Sequence, residues 1–114
     1  MYSWLMPRYI IFVIDNGDNR AVADEVARID AFNAKLIEQG NWIFAAGIKG
    51  PESGMIFDNR DSINLNKVGS LFESPEHYSG FWIIQADSDE LAQDLSKQGS
   101  LACNRRVELR PFIF

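Results

Sequence analysis

The 114-residue sequence has a single cysteine and no long hydrophobic run. Because Cys103 has no second cysteine to pair with, it can form neither an intrachain disulfide nor a zinc site of several thiolates. The apolar run near the N-terminus, residues 9–14, is too short for a membrane span and lacks a small-residue cleavage pattern. We therefore expect a cytoplasmic protein.

Basic residues are also scarce. Eleven Lys and Arg stand against sixteen Asp and Glu, for a net charge of -5. Nucleic-acid binding needs clustered basic side chains to neutralise phosphates, so this composition argues against it, and against anionic membrane surfaces. The acidic stretch 15–19 has Gly17 at the third position of a calcium loop and no glutamate at the twelfth, which favours a turn. No metal, flavin or nicotinamide motif is present, so we expect no cofactor.

What the sequence does contain is typical of one globular domain over residues 1–114, with 46% hydrophobic residues. The pattern of apolar residues and turn residues predicts six strands and two helices. Their order predicts an α+β ferredoxin-like fold, an antiparallel sheet with two helices on one face. The predicted elements are strands at 8–14, 41–47, 55–58, 63–68, 80–87 and 106–112, and helices at 20–39 and from Ser88 to Gly99.

The sequence also makes three local predictions. The first helix is expected to bury a stripe formed by Val22, Val26, Ile29, Phe32 and Leu36. In the second strand, Trp42, Phe44 and Ala46 alternate and are expected to share a face. Gly99 is expected to end the second helix.

The strand at 80–87 is apolar on both faces. Strand alternation places Phe81 and Ile83 on one face and Trp82, Ile84 and Ala86 on the other. Two helices on one side of the sheet would cover only one of these faces. Since two-fold homodimers are the commonest oligomers, we expect a second copy of the chain to cover the other.

The sequence resembles the YCII-related proteins, in particular their DGPF-type branch, across residues 9–112. The likeness rests on three segments. These are Ala31-Phe32-Asn33 with Leu36 and Gly40, Gly80-Phe81-Trp82, and residues 104–112, which are similar to a Val-Glu-x-Arg-Pro ending. The resemblance implies a dimeric α+β barrel with a pocket between the sheet and neighbouring elements.

One branch of that family resembles a lyase that eliminates HCl from a chlorinated aromatic compound with a His-Asp pair. This chain departs from that pattern, because it has Ile29 or Asp30 where the helix histidine would stand. It also has residues 69–72, Gly-Ser-Leu-Phe, in place of Asp-Gly-Pro-Phe, so only Phe72 is kept. We therefore do not expect this chain to contain the His-Asp pair of that lyase.

The one histidine, His77, is the candidate general acid or base. It precedes the aromatic strand in a predicted loop and has carboxylates nearby in the sequence. Asp30 on the first helix, or Glu76, is the candidate partner. A solvated loop histidine and a solvated helix carboxylate are the alternative interpretations.

Five further residues are candidates for lining an aromatic-sized pocket: Phe12, Asn33, Phe44, Phe57 and Trp82. Aromatic residues on strands also serve as plain core or interface. Arg105 and Arg106 could hold a ligand carboxylate or phosphate, or form surface or interface ion pairs. Cys103 is interpreted as a small buried hydrophobe and not as a nucleophile.

Three functions therefore remain open from the sequence. The first is a small cytoplasmic homodimeric domain that binds a small molecule, aromatic ones included, in a pocket at the sheet or dimer interface. The second is a cofactor-free lyase or isomerase that uses His77 with a nearby carboxylate. The third is a purely structural or regulatory dimer.

Overall fold

The computed structural model describes residues 6–17 and 23–114. Within these ranges the elements are β1 (Arg8–Asp15), α1 (Glu25–Glu38), β2 (Trp42–Gly47), β3 (Met55–Asp58), β4 (Leu65–Val68), β5 (His77–Gln85), α2 (Asp89–Cys103) and β6 (Val107–Pro111). In this part of the chain, four strands form an antiparallel sheet in the order β2-β5-β1-β6, and β3 pairs with β4 in a separate hairpin. This topology confirms the predicted ferredoxin-like α+β fold.

The core lies between the sheet and the two helices. Strand residues such as Ile11, Trp82 and Ile84 pack against Leu36 of α1 and Leu95 of α2, and all of them are buried. Both helices therefore cover one face of the sheet, as predicted. Among the described residues, no helix combines the length and apolar character needed to cross a membrane.

Helix α1 is shorter than predicted, and its buried stripe begins with a charged residue. It starts at Glu25; residues 18–22, which include the predicted helix start and Val22, lie outside the described residues. Phe32 and Leu36 are buried as expected, but Val26 is 67% exposed and Glu25 is only 6% exposed. Glu25 lies four residues before Ile29 on the inward stripe, and it is stabilised there by an ion pair with Arg105.

Strand β2 does not keep Trp42, Phe44 and Ala46 on one face. The register against β5 shifts between Trp42 and Phe44. Such a bulge inserts a residue and reverses the alternation beyond it. Trp42 and Ala45 therefore pack on the helix-covered core, while Phe44 lies on the opposite face and is 52% exposed.

Strand β5 begins at His77, three residues before the predicted start. Its pairing with β1 contains a second register shift, between Val13 and Ile14, which brings Tyr78 opposite Ile14 and His77 opposite Asp15. His77 is therefore a strand residue rather than a loop residue. The predicted alternation is confirmed, since Trp82, Ile84 and Ala86 are all buried in the core.

Helix α2 continues four residues beyond Gly99. Ser88 caps its N-terminus, since its hydroxyl accepts a hydrogen bond from the Leu91 backbone N–H at 3.1 Å. The helix ends at Cys103, and Asn104 adopts the left-handed conformation there. Gly99 instead gives the core its close packing, because a Cβ at this position would lie 3.3 Å from the Phe32 ring and 3.4 Å from the Trp82 ring.

The hairpin has a longer turn than predicted. Strand β3 has its predicted bounds, but β4 begins at Leu65 and not at Ile63. Asp61, Ser62 and Asn64 all have positive φ angles, which removes them from an extended strand. At the far edge of the main sheet, β6 is partly exposed and ends at Pro111, as expected for an edge strand.

The close packing at Gly99 leads to a stability prediction. A Gly99→Val substitution places a branched side chain against Phe32 and Trp82, so we expect the free energy of unfolding to fall by about 1–3 kcal/mol. Urea denaturation followed by circular dichroism measures this change. Lys97→Val, on the exposed side of the same helix, is the control for helix propensity and should cost well under about 1 kcal/mol. Equal losses in the two variants would contradict the packing role of Gly99.

Candidate functional site

The face of the sheet that points away from the helices is rich in apolar side chains. Ile10 and Phe12 of β1 lie opposite Ile83 and Phe81 of β5, and Phe44 of β2 lies opposite Ile83 on the other side. On the β6 side, Glu108 and Arg110 lie opposite Phe12 and Ile10. We call this surface the open face; its residues are Ile10, Phe12, Phe44, Tyr78, Phe81, Ile83, Glu108 and Arg110.

Aromatic rings on the open face form two contacts. The rings of Phe12 and Tyr78 stack with centroids 4.3 Å apart and an interplanar angle of 18°. The rings of Phe44 and Phe81 lie 6.0 Å apart and tilted by 50°. The open face therefore presents flat aromatic surface beside branched aliphatic side chains, a combination that favours contact with another apolar surface.

Polar groups join the aromatic stack on the β6 side. The Tyr78 hydroxyl donates to Glu108 Oε1 at 2.8 Å, and Arg110 Nε donates to Glu108 Oε2 at 2.6 Å. The Arg110 guanidinium carbon lies 5.7 Å from the centre of the Phe12 ring, within range of a cation–π interaction. We call Phe12, Tyr78, Glu108 and Arg110 the open-face cluster.

The contacts in the open-face cluster determine its protonation. Donation to Glu108 raises the pKa of Tyr78. The hydrogen bonds from Tyr78 and Arg110 lower the pKa of Glu108, and Glu108 raises the pKa of Arg110. At neutral pH the cluster therefore combines a neutral phenol, a carboxylate and a guanidinium beside an aromatic stack. These groups can stack on a ring and hydrogen-bond to an anionic substituent.

A second polar region lies at the end of the sheet where β1 stops and β6 begins. A surface cavity of about 430 Å³ is found there. It is lined by Ile14, Asp15, Asn16, Glu76, Ser100, Leu101, Asn104, Arg105 and Arg106. Another cavity, of about 580 Å³, lies between α2 and β6 and shares Ile14, Ser100 and Arg106 with the first.

Arg105 connects three segments beneath the first cavity. Its Nε donates to Asp15 Oδ2 at 3.1 Å, and its Nη1 donates to Glu25 Oε1 at 3.0 Å and to the Cys103 carbonyl at 2.8 Å. Side-chain exposure is only 13% for Arg105 and 8% for Glu25. The guanidinium therefore acts as an ion-pair partner inside the chain, and not in the surface or interface ion pair expected from the sequence.

The surroundings of Asp15 and Cys103 shift the pKa values of these two side chains in opposite directions. The Gly17 backbone N–H and the Arg105 guanidinium hold the pKa of Asp15 below its usual range. Burial raises the pKa of the Cys103 thiol, which disfavours the reactive thiolate. The buried position of Cys103 agrees with its interpretation as a small hydrophobe. Arg106, by contrast, is largely exposed and forms an ion pair with Glu76.

The structure does not bring the five predicted pocket residues together. Phe12 and Phe44 lie on the open face, and Phe57 lies on the separate hairpin, 66% exposed. Trp82 is buried on the helix-covered face, where its Nε1 donates to Asn33 Oδ1 at 2.7 Å and its ring meets Phe32 edge-on at 5.3 Å. Trp82 and Asn33 therefore belong to the core side of the sheet.

His77 and Asp30 are also separate. The His77 ring contacts the Pro75 carbonyl oxygen through Nδ1 at 3.2 Å, and His77 lines neither of the two cavities. Asp30 lies on the exposed side of α1. Among the described residues no hydrogen bond or ion pair joins the two, or joins His77 to Glu76. The lyase or isomerase hypothesis stays a prediction from the sequence and gains no supporting contact.

Three residues of the open-face cluster were not predicted as site residues: Tyr78, Glu108 and Arg110. Side chains alternate along β6, so Glu108 and Arg110 lie on the face away from Val107 and Leu109, which point inward. That signal indicates two charged side chains on the face expected to be apolar, and it could have identified the cluster. Tyr78 could not be placed, because its position depends on the register shift in β5.

Comparisons with known proteins support the fold. No family model matches the chain, and no curated protein matches it. Among solved structures, the chain is similar to the Leucine response regulatory protein (LrpA) of Mycobacterium tuberculosis, with a TM-score of 0.51 and 14% sequence identity over 96% of this chain. The match spans 51% of that protein, about half its length. A likeness at this identity shows a shared fold and nothing about the ligand.

The buried ion pairs of Arg105 lead to a stability prediction, and the adjacent Arg106 supplies the matched control. Arg105→Gln leaves Glu25 and Asp15 without a cation, so we expect the free energy of unfolding to fall by about 3 kcal/mol at pH 7. Arg106→Gln removes a surface ion pair and should cost less than about 1 kcal/mol. Urea denaturation of both variants measures the difference, and equal losses would contradict the internal role of Arg105.

The loss of stability in Arg105→Gln relative to the wild type should depend on pH. The Gly17 backbone N–H and the Arg105 guanidinium both lower the pKa of Asp15 in the folded state. The part that Arg105 supplies stabilises the fold above the unfolded-state pKa of about 4 and is lost as the pH falls through the native pKa. The stability gap between wild type and Arg105→Gln should therefore narrow below about pH 4. A gap that stayed constant down to the acid transition would contradict this assignment.

Proposed function

We propose that the protein is a homodimeric domain that binds a small aromatic anion at the edge of its dimer interface. The observation that carries the proposal is the open face itself. Both helices pack on the opposite side of the sheet, so apolar residues of the central strands, such as Phe12 and Ile83, have no cover from the helices. Contiguous apolar patches of this kind on monomers rarely exceed a few hundred Å².

The size of the open face favours pairing with a second copy. Its four strands are five to nine residues long. At the usual strand spacing and rise they cover roughly 19 by 24 Å, or about 460 Å². Two such faces related by a two-fold axis are self-complementary, because apolar strands at the centre meet their own copies. The result would be a pair of sheets packed face to face, a dimeric α+β barrel.

The open-face cluster is the proposed ligand site. It lies toward the β6 edge of the sheet, where an interface between two sheets would have its polar rim. The stacked rings of Phe12 and Tyr78 offer a surface for an aromatic ring, and Arg110, which is 62% exposed, can turn from Glu108 toward a carboxylate. A small aromatic carboxylate combines both features.

The sequence resemblance to the YCII-related family supports the same proposal. That resemblance implies a dimeric barrel with a pocket beside the sheet, and the open-face cluster is where this chain offers suitable groups. Family membership and a cytoplasmic setting are proposed on the sequence alone. His77 has no role in this proposal.

The dimer leads to a prediction about mass in solution. Wild-type protein should have twice the chain mass of 12.9 kDa at micromolar concentration. Ile83→Asp places a charge at the centre of the open face and should give a monomer, because burying two carboxylates against each other is costly. Light scattering after size-exclusion chromatography measures both.

The matched control is Val26→Asp. It introduces the same carboxylate at an apolar residue of α1 that is 67% exposed, so the dimer should persist. A wild-type monomer at micromolar concentration, or equal dissociation of both variants, would contradict the open face as the interface.

The ligand site leads to a second prediction. Benzoate should bind saturably. Cyclohexanecarboxylate, whose ring is not aromatic, and benzamide, which lacks the charge, should bind at least roughly tenfold more weakly. Arg110→Gln should weaken benzoate binding by roughly tenfold or more. NMR titration of the wild type and variants measures the affinities and identifies the residues whose signals shift.

Arg28→Gln is the control, because Arg28 lies on α1 and forms its ion pair with Asp24; it should leave benzoate affinity unchanged. Saturable binding whose shifts lie away from Phe12 and Tyr78, or equal affinity for all three compounds, would contradict the proposed site.

A further inference from the structure

The β3–β4 hairpin carries an unusual share of exposed apolar surface. Of the fifteen large apolar side chains that are exposed in the described residues, eight lie between residues 48 and 72, and five of these belong to the hairpin itself, residues 55–68. Met55, Phe57 and Val68 are 52%, 66% and 70% exposed. Scattered apolar residues are common on surfaces, but such a concentration in one segment indicates an interaction site.

These side chains share one face of the hairpin. Met55 pairs with Val68 and Phe57 pairs with Asn66, so strand alternation puts all four on one side. That side is uncharged. Lys67 pairs with Ile56, and Asp58 pairs with Leu65, so the charges of the two strands lie on the other side. We call Met55, Phe57, Asn66 and Val68 the arm face. The other side is mixed, because Ile56 and Leu65 lie there beside Asp58 and Lys67, so the arm face is the less polar of the two.

The hairpin extends away from the body of its own chain. Its strands pair with each other and not with the four-stranded sheet. The radius of gyration is 16.3 Å, and the described chain measures 46 × 41 × 18 Å. A compact domain of this length has a radius of gyration of about 13 Å. The arm face is therefore left without cover from its own core, and an isolated two-stranded hairpin is marginally stable in water.

We propose that the β3–β4 hairpin is an arm that packs its arm face against the second copy of the chain. This inference rests on the proposed homodimer and names a second contact within it. The hairpin connects β2 to β5, the neighbouring strands that contribute Phe44 and Phe81 to the open face. The arm is thus attached at the border of the proposed interface, and a two-fold axis would bring each arm to the partner.

The arm face also suits the environment of the proposed interface. Its four side chains are uncharged and exposed, and the arm adjoins the open face through β2 and β5. A stable interface of standard size buries about 800 Å² of accessible surface on each partner. An arm on each copy would add apolar area to the contact that the open face makes.

The first experiment compares two charge substitutions on the hairpin. Phe57→Glu puts a carboxylate on the arm face, and Lys67→Glu puts one on the opposite face of the neighbouring strand. Sedimentation velocity over a concentration series gives the dimer dissociation constant for each. We expect Phe57→Glu to raise it by at least roughly tenfold and Lys67→Glu to change it by less than about threefold.

The second experiment needs no substitution in the arm. Hydrogen–deuterium exchange of residues 55–58 and 65–68 should be slow in the wild-type dimer and faster in the Ile83→Asp monomer, which lacks the partner. This comparison remains informative even if Phe57→Glu alters the hairpin itself.

The outcomes separate the two proposals. A wild-type monomer overturns the dimer and the arm together. A stable wild-type dimer that is unaffected by Phe57→Glu, with hairpin amides exchanging equally fast in dimer and monomer, overturns the arm and leaves the dimer in place. Amides that stay equally protected in the Ile83→Asp monomer also overturn the arm, because the hairpin would then be covered by its own chain.

Discussion

The packing of Trp82 between the two helices decides which face of the sheet is covered. Its ring meets Phe32 of α1 edge-on, its indole N–H donates to Asn33, and Gly99 lets α2 come close. Because alternate strand residues point to opposite faces, fixing Trp82 inward also fixes Phe81 and Ile83 outward. The open face is therefore a direct consequence of the way the core is built.

Two groups of charged residues take different positions relative to that core. Arg105, Asp15 and Glu25 close the helix-covered side where β1, α1 and α2 meet, and their charges are satisfied within the chain. Glu108 and Arg110 lie on the other side of the sheet, more exposed and next to aromatic rings. The first group is suited to holding segments together. The second has donors that a ligand can reach, which is why the proposed site lies on the open face.

The sequence predicted the order of elements, the two-faced character of β5 and the uncovered sheet face, because these depend on apolar periodicity alone. It missed what depends on pairing between distant strands. The register shifts move Trp42 into the core and bring Tyr78 onto Phe12, and no local pattern marks either one. The position of Glu25 was missed for a related reason, since burial of a carboxylate depends on a cation 80 residues away.

The residues predicted to line one aromatic pocket lie on two faces of the sheet and on the hairpin, because their positions also depend on strand pairing. Phe12, Phe44, Phe57 and Trp82 are similar in the sequence, and only the register and the packing of the helices separate them. Composition can indicate that aromatic surface is abundant. It cannot indicate which rings meet.

The bulge in β2 affects whether strands of other molecules can extend this sheet. A regular edge strand offers a row of free backbone groups to which strands of other molecules can add without limit. Here one edge strand, β2, is interrupted between Trp42 and Phe44, and the other, β6, ends in Pro111, which has no N–H to donate. Both edges are therefore poor templates for fibre formation. A sheet protected in this way can leave an apolar face uncovered with less risk of open-ended polymerisation.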